Sequence, residues 1–421
     1  MKHRILVLGA GYAGAFAAGS LARRLSPADT EITVINAEPV FVERMRMHQL
    51  AAGRALATRR LADVFAGTGV RLHVARVTAV DPERRTVAVT GEDGDGELGY
   101  DTLLYTLGSR VADHGVPGVA EHAFDVAGRP SALRLRARLD SLGSAGTVLV
   151  VGEGLTGIET ATEFAESRPG LSVALAARGE LGAWLSPGAR LHLREAFDRL
   201  GITVHEHTVI EAVEATYAVG ADGTSFPADA TVWTAGFAVD PIAAAAGLEV
   251  TEGGRIVVDD TMRSVSHPDV YAAGDSAFAI GDNGRPLPMS CASAGHTNMQ
   301  ATDAIVARLT GRRVPSVKKT YIGNHISLGR YDAIFQMVDG DVRAKSWFLG
   351  GRKAARLKAG ILRGSLWATS HPTFGMPKRK HRLTATTTAA GTTAVTTTTV
   401  TTATGNAAAP KNAAAPENAA A

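Results

Sequence analysis

Apolar runs, glycine-rich turns and helical stretches follow one another in an order that occurs twice along the chain. Arg4 to Leu8 (RILVL) enters GAGYAG at Gly9 to Gly14, and an alanine-rich helical stretch leads on to the apolar run Ile32 to Ile35 (ITVI). Thr147 to Val151 (TVLVV) enters GEGLTG at Gly152 to Gly157, and a second helical stretch leads on to Leu171 to Leu175 (LSVAL). Each set reads as strand, tight turn, helix and strand, so two βαβ units stand 143 residues apart.

Between them, Leu72 to Val80 and Thr86 to Thr90 read as strands, Gly91 to Gly99 as a glycine- and acid-rich hairpin turn, and YDTLLYTLGSR follows at Tyr100 to Arg110. After the second unit come Ile202 to Val204, Val209 to Val213, ATVWTAG at Ala230 to Gly236, and TMRSVSHPDVYAAGDSA at Thr261 to Ala277. Helices are expected from Ser293 to Leu309 and from Arg352 to Trp367. Leu383 to Ala421 is a Thr/Ala tract without hydrophobic period and is expected to be disordered.

Glycines between a strand and a helix let the backbone turn tightly and approach a pyrophosphate that rests on the helix N-terminus. Gly9, Gly11 and Gly14, and Gly152, Gly154 and Gly157, are therefore candidate dinucleotide contacts. An acid usually ends the second strand of such a unit and holds the adenosine ribose. In the first unit that place falls on Asn36, which hydrogen-bonds without charge, with Glu38 two residues on. In the second unit it falls on Ala177, followed by Arg178. Loss of the acid removes a partner for a 2′-hydroxyl and a repulsion against a 2′-phosphate, and Arg178 offers that phosphate a cation. NADPH is accordingly expected to be preferred to NADH.

With 421 residues, 45% of them hydrophobic, the chain is long enough for two or three packed domains. Its one cysteine, Cys291, permits no intramolecular disulfide, no CxxC pair and no cysteine-only metal site. No metal is expected, and redox chemistry must come from a cofactor. Ile5 to Ala22 is an uncharged run of 18 residues, long enough to suggest a membrane span or signal core. Its four glycines suit a strand, turn and helix instead, so neither export nor a transmembrane segment is expected.

The net charge of +3 conceals an asymmetry. Arg343 to Arg382 holds eleven Lys/Arg and no Asp/Glu, whereas residues 1–342 hold 32 basic and 40 acidic side chains. An acidic body thus carries a basic segment. Arg352, Arg356 and Arg363 fall within a narrow arc of the expected helix, with Ala354, Leu357 and Ile361 elsewhere on its surface. Trp347, Phe348 and Trp367 flank it. The pattern suits docking of 343–382 on an anionic membrane surface. No nucleic-acid motif is present, and no nucleic-acid partner is expected.

The motifs GAGYAG, YDTLLYTLGS, GEGLTGIE, ATVWTAG and DVYAAGDSA, in that order over about residues 4 to 310, resemble those of flavoproteins with two dinucleotide-binding domains, the pyridine nucleotide-disulfide oxidoreductase superfamily. The resemblance implies FAD on the first unit, NAD(P)H on the second, and further FAD contacts at Gly108, Gly274 and Asp275. The aspartate would bind the ribityl or pyrophosphate region. Disulfide reductases of the superfamily carry CxxxxC or CxxC beside the flavin, which this chain lacks. It looks instead like the branch of type II NADH:quinone oxidoreductases and apoptosis-inducing-factor-like quinone reductases. FVERMRMHQLAAG, Phe41 to Gly53, resembles the stretch after the FAD ribose site there. The branch's AQxxxQ glutamines are replaced by Ala292 and His296, and His296 offers a proton to a reduced quinone. Glu159, just past the second glycine loop, is implied to face nicotinamide and flavin in a positioning or proton-handling role.

These readings give an α/β fold with two Rossmann-like dinucleotide-binding domains, the NAD(P) domain inserted in the FAD domain, and a small C-terminal domain. The expected divisions are 1–110 and 237–311 for FAD, 111–236 for NAD(P), 312–382 for the basic domain and 383–421 for the tail. The expected activity is hydride transfer from NAD(P)H to flavin and then electron transfer to a quinone-like acceptor, by a cytoplasmic protein or one peripheral on the inner face of the membrane. The alternatives are a ferredoxin or rubredoxin reductase and a flavin-holding NAD(P)H sensor with little turnover.

Overall fold

The computed structural model describes residues 1–92, 94–374 and 380–384. β1 (His3–Leu8) is buried from Ile5 onward, as a strand covered on both faces must be. The first glycine loop leads into α1 (Tyr12–Arg24), and the chain returns as β2 (Thr30–Asn36), parallel to β1. The run from Ile5 to Ala22 is therefore a strand, a loop and most of a helix. Two short helices, α2 (Met47–Ala51) and α3 (Leu61–Phe65), come before β3 (Val70–Asp81), which pairs parallel with β2. From β3 the chain meanders antiparallel through β4 (Thr86–Gly91) and β5 (Gly94–Gly99). The segment expected as a hairpin turn is thus mostly strand, because ladder bonds to β4 outweigh the poor strand propensity of an exposed, glycine-rich edge. β6 (Thr102–Tyr105) lies on the other side of β1.

β7 (Ser109–Val111) leads out to the second unit through α4 (Val119–His122) and α5 (Arg129–Leu142). That unit runs β8 (Gly146–Val151), α6 (Leu155–Ser167), β9 (Leu171–Ala176), α7 (Pro187–Leu200) and β10 (Thr203–His205). A small antiparallel sheet of β11 (Ile210–Val213), β12 (Tyr217–Gly220) and β13 (Ser225–Pro227) precedes β14 (Ala230–Trp233). β14 completes a four-stranded parallel sheet in the order β10-β9-β8-β14. The chain returns through β15 (Phe237–Val239), which pairs antiparallel with β7, so the outward and return crossings are zipped together.

After α8 (Ile242–Ala245) and β16 (Ile256–Val257), β17 (Val270–Ala272) pairs with β6 and completes a seven-stranded sheet, β17-β6-β1-β2-β3-β4-β5. β18 (Ala277–Phe278) pairs with β16, and α9 (Cys291–Thr310) packs on α1. Ser290 caps α9 by accepting from the Ser293 N–H at 3.1 Å. An antiparallel sheet of β19 (Gly323–Ser327), β20 (Ala333–Val338) and β21 (Ala344–Gly350) then leads into α10 (Gly351–Ser370).

Beyond α10 the chain crosses back onto the first unit. The Leu383 N–H donates to Asp29 Oδ2 at 3.3 Å and the Thr384 N–H to Leu309 O at 3.1 Å. Leu383 also packs against the apolar cluster around α1. These two residues, expected in the disordered tail, are therefore docked by backbone hydrogen bonds and apolar contact. The remainder of the expected tail, 385–421, lies outside the described residues, as do Lys378 and Arg379 of the basic segment.

A single core ties the first unit to the second and to the C-terminal sheet. Met47, Leu50 and Ala51 of α2 are buried with Ile158, Ala161 and Phe164 of α6 and with Ile326 and Ile334 of the C-terminal sheet. Full burial of each large apolar side chain is worth about 1.5–3 kcal/mol, enough to fix three distant segments together. Among the described residues, no helix is long and apolar enough to cross a membrane.

Candidate active site

The two glycine loops share one geometry. Gly9 (φ +92°) and Gly152 (φ +117°) lie where an L side chain is strained. A Cβ on Gly14 would run into Gly9 O, and one on Gly157 into Gly152 O. Thr106 Oγ1 donates to Leu8 O at 2.7 Å, and Thr234 Oγ1 donates to Val151 O at 2.7 Å, pinning each strand end. Sequence reading passed over both threonines, although their signal is visible: T-x-G occurs as Thr106 to Gly108 and again as Thr234 to Gly236. α1 and α6 start at Gly11 and Gly154 with no side-chain cap and no acid in the first turn. Among the described residues no side chain caps their leading N–H groups, which point to where an anion would bind. A Cβ on Gly11 would meet nothing within 4 Å, so the space before α1 is open.

Asn36 stands at the end of β2, but its amide is committed to the loop. Oδ1 accepts from the Ala10 N–H at 2.8 Å, and Nδ2 donates to Glu38 O at 2.7 Å. It ties the glycine loop to the strand end, while the Glu38 carboxylate has no partner among the described residues. Gly274 and Asp275 meet the Gly108 segment: Ser109 Oγ donates to Asp275 Oδ2 at 2.7 Å, and the Gly108 N–H donates to Ser276 Oγ at 3.0 Å. A Cβ on Gly274 would lie 3.3 Å from Ala13 Cβ, which brings both segments beside the first glycine loop.

Between the two units is a cleft whose lining includes Arg44, His48, Thr156, Glu159, Thr234 and Phe237. The Arg44 guanidinium lies 5.0 Å from the centre of the Phe237 ring. Buried polar atoms are normally paired, yet Arg44 Nη2 and His48 Nε2 have no partner among the described residues. Burial, then the charges of Lys358 and Arg46, push the His48 pKa down to about 3, so its ring is neutral. An uncapped helix, open space before Gly11 and unpartnered polar atoms in the cleft wall fit a flavin cofactor.

Glu159 is buried near the start of α6. Its Oε1 accepts from the Ser327 N–H at 2.9 Å and from the Lys358 ammonium, which also donates to His325 O at 2.8 Å. Each side chain of the pair is only 11% exposed. Burial pushes the Lys358 pKa down to about 7. Sequence reading counted Lys358 only as part of the basic segment. Its signal was positional: Ala354, Lys358, Leu366 and Thr369 recur on one side of α10, and Ala354, Leu366 and Thr369 are buried there.

The other candidates are placed differently. His296 is half-buried on α9, makes no side-chain hydrogen bond among the described residues and does not line the cleft. The Cys291 thiol, hydrogen-bonded with Ser365 of α10, has its pKa pushed up to about 11 by burial. Arg178 is exposed after β9, with no side-chain partner among the described residues. Its backbone N–H donates to Glu153 Oε2 at 3.1 Å, a contact that sequence spacing did not reveal. On the outward face of α10, Arg352, Lys353, Arg356 and Arg363 are exposed and make no ion pair among the described residues. Leu357, Ile361 and Trp367 are exposed as well. Trp367 lies beside the arginines, whereas Leu357 and Ile361 lie roughly 100° or more round the helix from them, on its other exposed flank.

Two strand–loop–helix units facing one another across a cleft are the arrangement of a protein built for two dinucleotides. The family model for pyridine nucleotide-disulphide oxidoreductases matches residues 3–300; the chain belongs to this family and is an NAD(P)H-dependent oxidoreductase. An NADH dehydrogenase-like protein of Mycobacterium tuberculosis (strain CDC 1551 / Oshkosh) is 33% identical over 314 residues, covering 68% of this chain and 76% of the relative. A type II NADH:quinone oxidoreductase of Staphylococcus epidermidis (strain ATCC 12228 / FDA PCI 1200) is 26% identical, covering 85% of this chain and 93% of the relative. The solved structure of NDH2 from Plasmodium falciparum in complex with NADH shares the fold, with a TM-score of 0.74 at 15% identity, covering 89% of this chain and 97% of that one.

Proposed function

We propose that the protein passes electrons from NAD(P)H through FAD to a quinone, while bound peripherally to the inner face of a membrane. Gly9, Gly11, Gly14, Gly108, Gly274 and Asp275 would hold FAD, and Gly152, Gly154 and Gly157 the nicotinamide nucleotide, with Arg178 at its rim. The domain division is that of 1–110 with 237–311, 111–236, and 312–382. When bound, the flavin accepts two electrons from the nicotinamide and hands them to the acceptor.

The observation that carries the quinone reading is the buried Glu159–Lys358 pair, in which Glu159 lines the cleft and holds Lys358 behind it. Reduction of a quinone consumes a proton beyond the hydride: NAD(P)H + H⁺ + quinone gives NAD(P)⁺ + quinol. A buried ammonium whose pKa is about 7 holds a transferable proton near neutral pH. Glu159 keeps that ammonium in place, and neutral His48 does not compete as a proton source. His296, half-buried on α9 and outside the cleft lining, is the other candidate donor. The mixed basic and apolar outward face of α10 supports a lipid surface, with the proton-bearing side chain on the same helix turned inward.

Anaerobic reduction of the yellow protein by NADH or NADPH, followed by reoxidation with quinones, ferredoxins and rubredoxins, tests the reading. Fast reoxidation by quinones alone is expected. Preference for a one-electron protein, or slow reduction with a long-lived nucleotide complex, would replace it with the reductase or sensor alternative.

A further inference from the structure

The second glycine loop carries an acid of its own. Glu153, the residue after Gly152, sends its carboxylate to the end of β9, where Oε2 accepts from the Arg178 N–H at 3.1 Å and Oε1 from the Gly179 N–H at 3.3 Å. This is the strand end at which a nucleotide-binding unit usually presents the ribose-holding acid, and where this chain has Ala177. The side chain of Glu153 is half-buried, and each carboxylate oxygen, with one backbone partner, keeps a free lone pair. Arg178 makes no side-chain ion pair among the described residues, so its guanidinium is not bound to Glu153.

On the reading of this loop as the nicotinamide nucleotide site, we propose that Glu153 binds the adenosine ribose and makes the enzyme select NADH over NADPH. The preference expected from Ala177 and Arg178 alone is thereby reversed. A ribose 2′-hydroxyl donates to the free lone pair of a carboxylate already held in place by two amides. A 2′-phosphate meets that carboxylate's charge and finds the Arg178 and Gly179 amides, the donors it would need, already taken. Removing the acid frees both amides and leaves Arg178 as a partner for the phosphate.

The test is calorimetric titration of the flavin-loaded protein with ADP-ribose and with 2′-phospho-ADP-ribose. Wild type should bind ADP-ribose at least about tenfold more tightly. Glu153→Gln, similar in size, should weaken ADP-ribose and tighten 2′-phospho-ADP-ribose, each by about tenfold. Adding Arg178→Ala should abolish the gain. In turnover the same shifts should appear in KM rather than kcat, because the adenosine end is remote from the reacting ring. Glu153→Ala, checked for unchanged flavin content, covers the case in which glutamine still accepts from an amide. A wild-type preference for the phosphorylated fragment, or equal change for both fragments in both Glu153 variants, overturns the proposal. If neither fragment binds wild type, the nucleotide assignment of the second loop fails as well.

Discussion

Lys358 is charged by chemistry and buried by position, and its partner is the carboxylate of Glu159, 199 residues earlier in the chain. Removing one member of such a pair strands the other: Lys358→Met or Glu159→Gln should each cost about 3 kcal/mol in urea unfolding, with flavin content matched. The double variant should cost less than the two single losses together, by about 1–3 kcal/mol; strict additivity would show that the pair is not coupled. Gly11→Val makes a contrasting case, because its side chain enters space that no protein atom occupies. That variant should purify without flavin and unfold at a thermal midpoint close to that of flavin-stripped wild type; full yellow occupancy would remove FAD from the first loop. The glycines were legible in sequence because their constraint is local, a backbone turn and a close approach within six residues. Asn36 was located correctly, but the commitment of its amide to Ala10 and Glu38 depends on how the loop folds over the strand end. Glu153 and Lys358 were not legible as site residues, since their meaning lies in partners brought close only by the fold.

α10 is the element that joins chemistry to surface. Its inward side sends Lys358 to Glu159, and its outward side shows Arg352, Arg356 and Arg363 with exposed Trp367 beside them. Each Lys or Arg near an anionic membrane contributes on the order of 1 kcal/mol, weakened by salt. Charge reversal at the three arginines should therefore abolish sedimentation with phosphatidylserine-containing vesicles while leaving reduction by NADH intact. Unchanged vesicle binding would exclude this face as the docking surface. The helix itself was readable from its spacing. The sheet of β19, β20 and β21 before it was not, because the burial of β21 does not alternate and its register is set by β20 rather than by its own sequence.

At the scale of the whole molecule, a mixed seven-stranded sheet and a parallel four-stranded sheet, each opening on a glycine loop, are joined by crossings zipped as β7 and β15. α2 leaves the first unit to share a core with α6 and the C-terminal sheet. The repeat of strand, loop and helix was plain in the sequence, and so was the twofold use of one architecture. The shared core was not, because MHQLA and HISLG carry no mark of each other until both pack on α6. That core sets the cleft, the buried pair and the basic face in fixed relation, so electron transfer and proton supply should be separable by one experiment. It is the anaerobic single-turnover reoxidation of the reduced, flavin-loaded protein by a water-soluble quinone, followed across pH in wild type and in Lys358→Met. Below about pH 7 the Lys358 ammonium is protonated and can donate; above it the donor is lost. Wild-type reoxidation should be fast at low pH and slow as pH rises through about 7, and Lys358→Met should be slow and flat over the same range. Equal rates and identical pH profiles in the two proteins, or no reoxidation of wild type by any quinone, would contradict the proposed route.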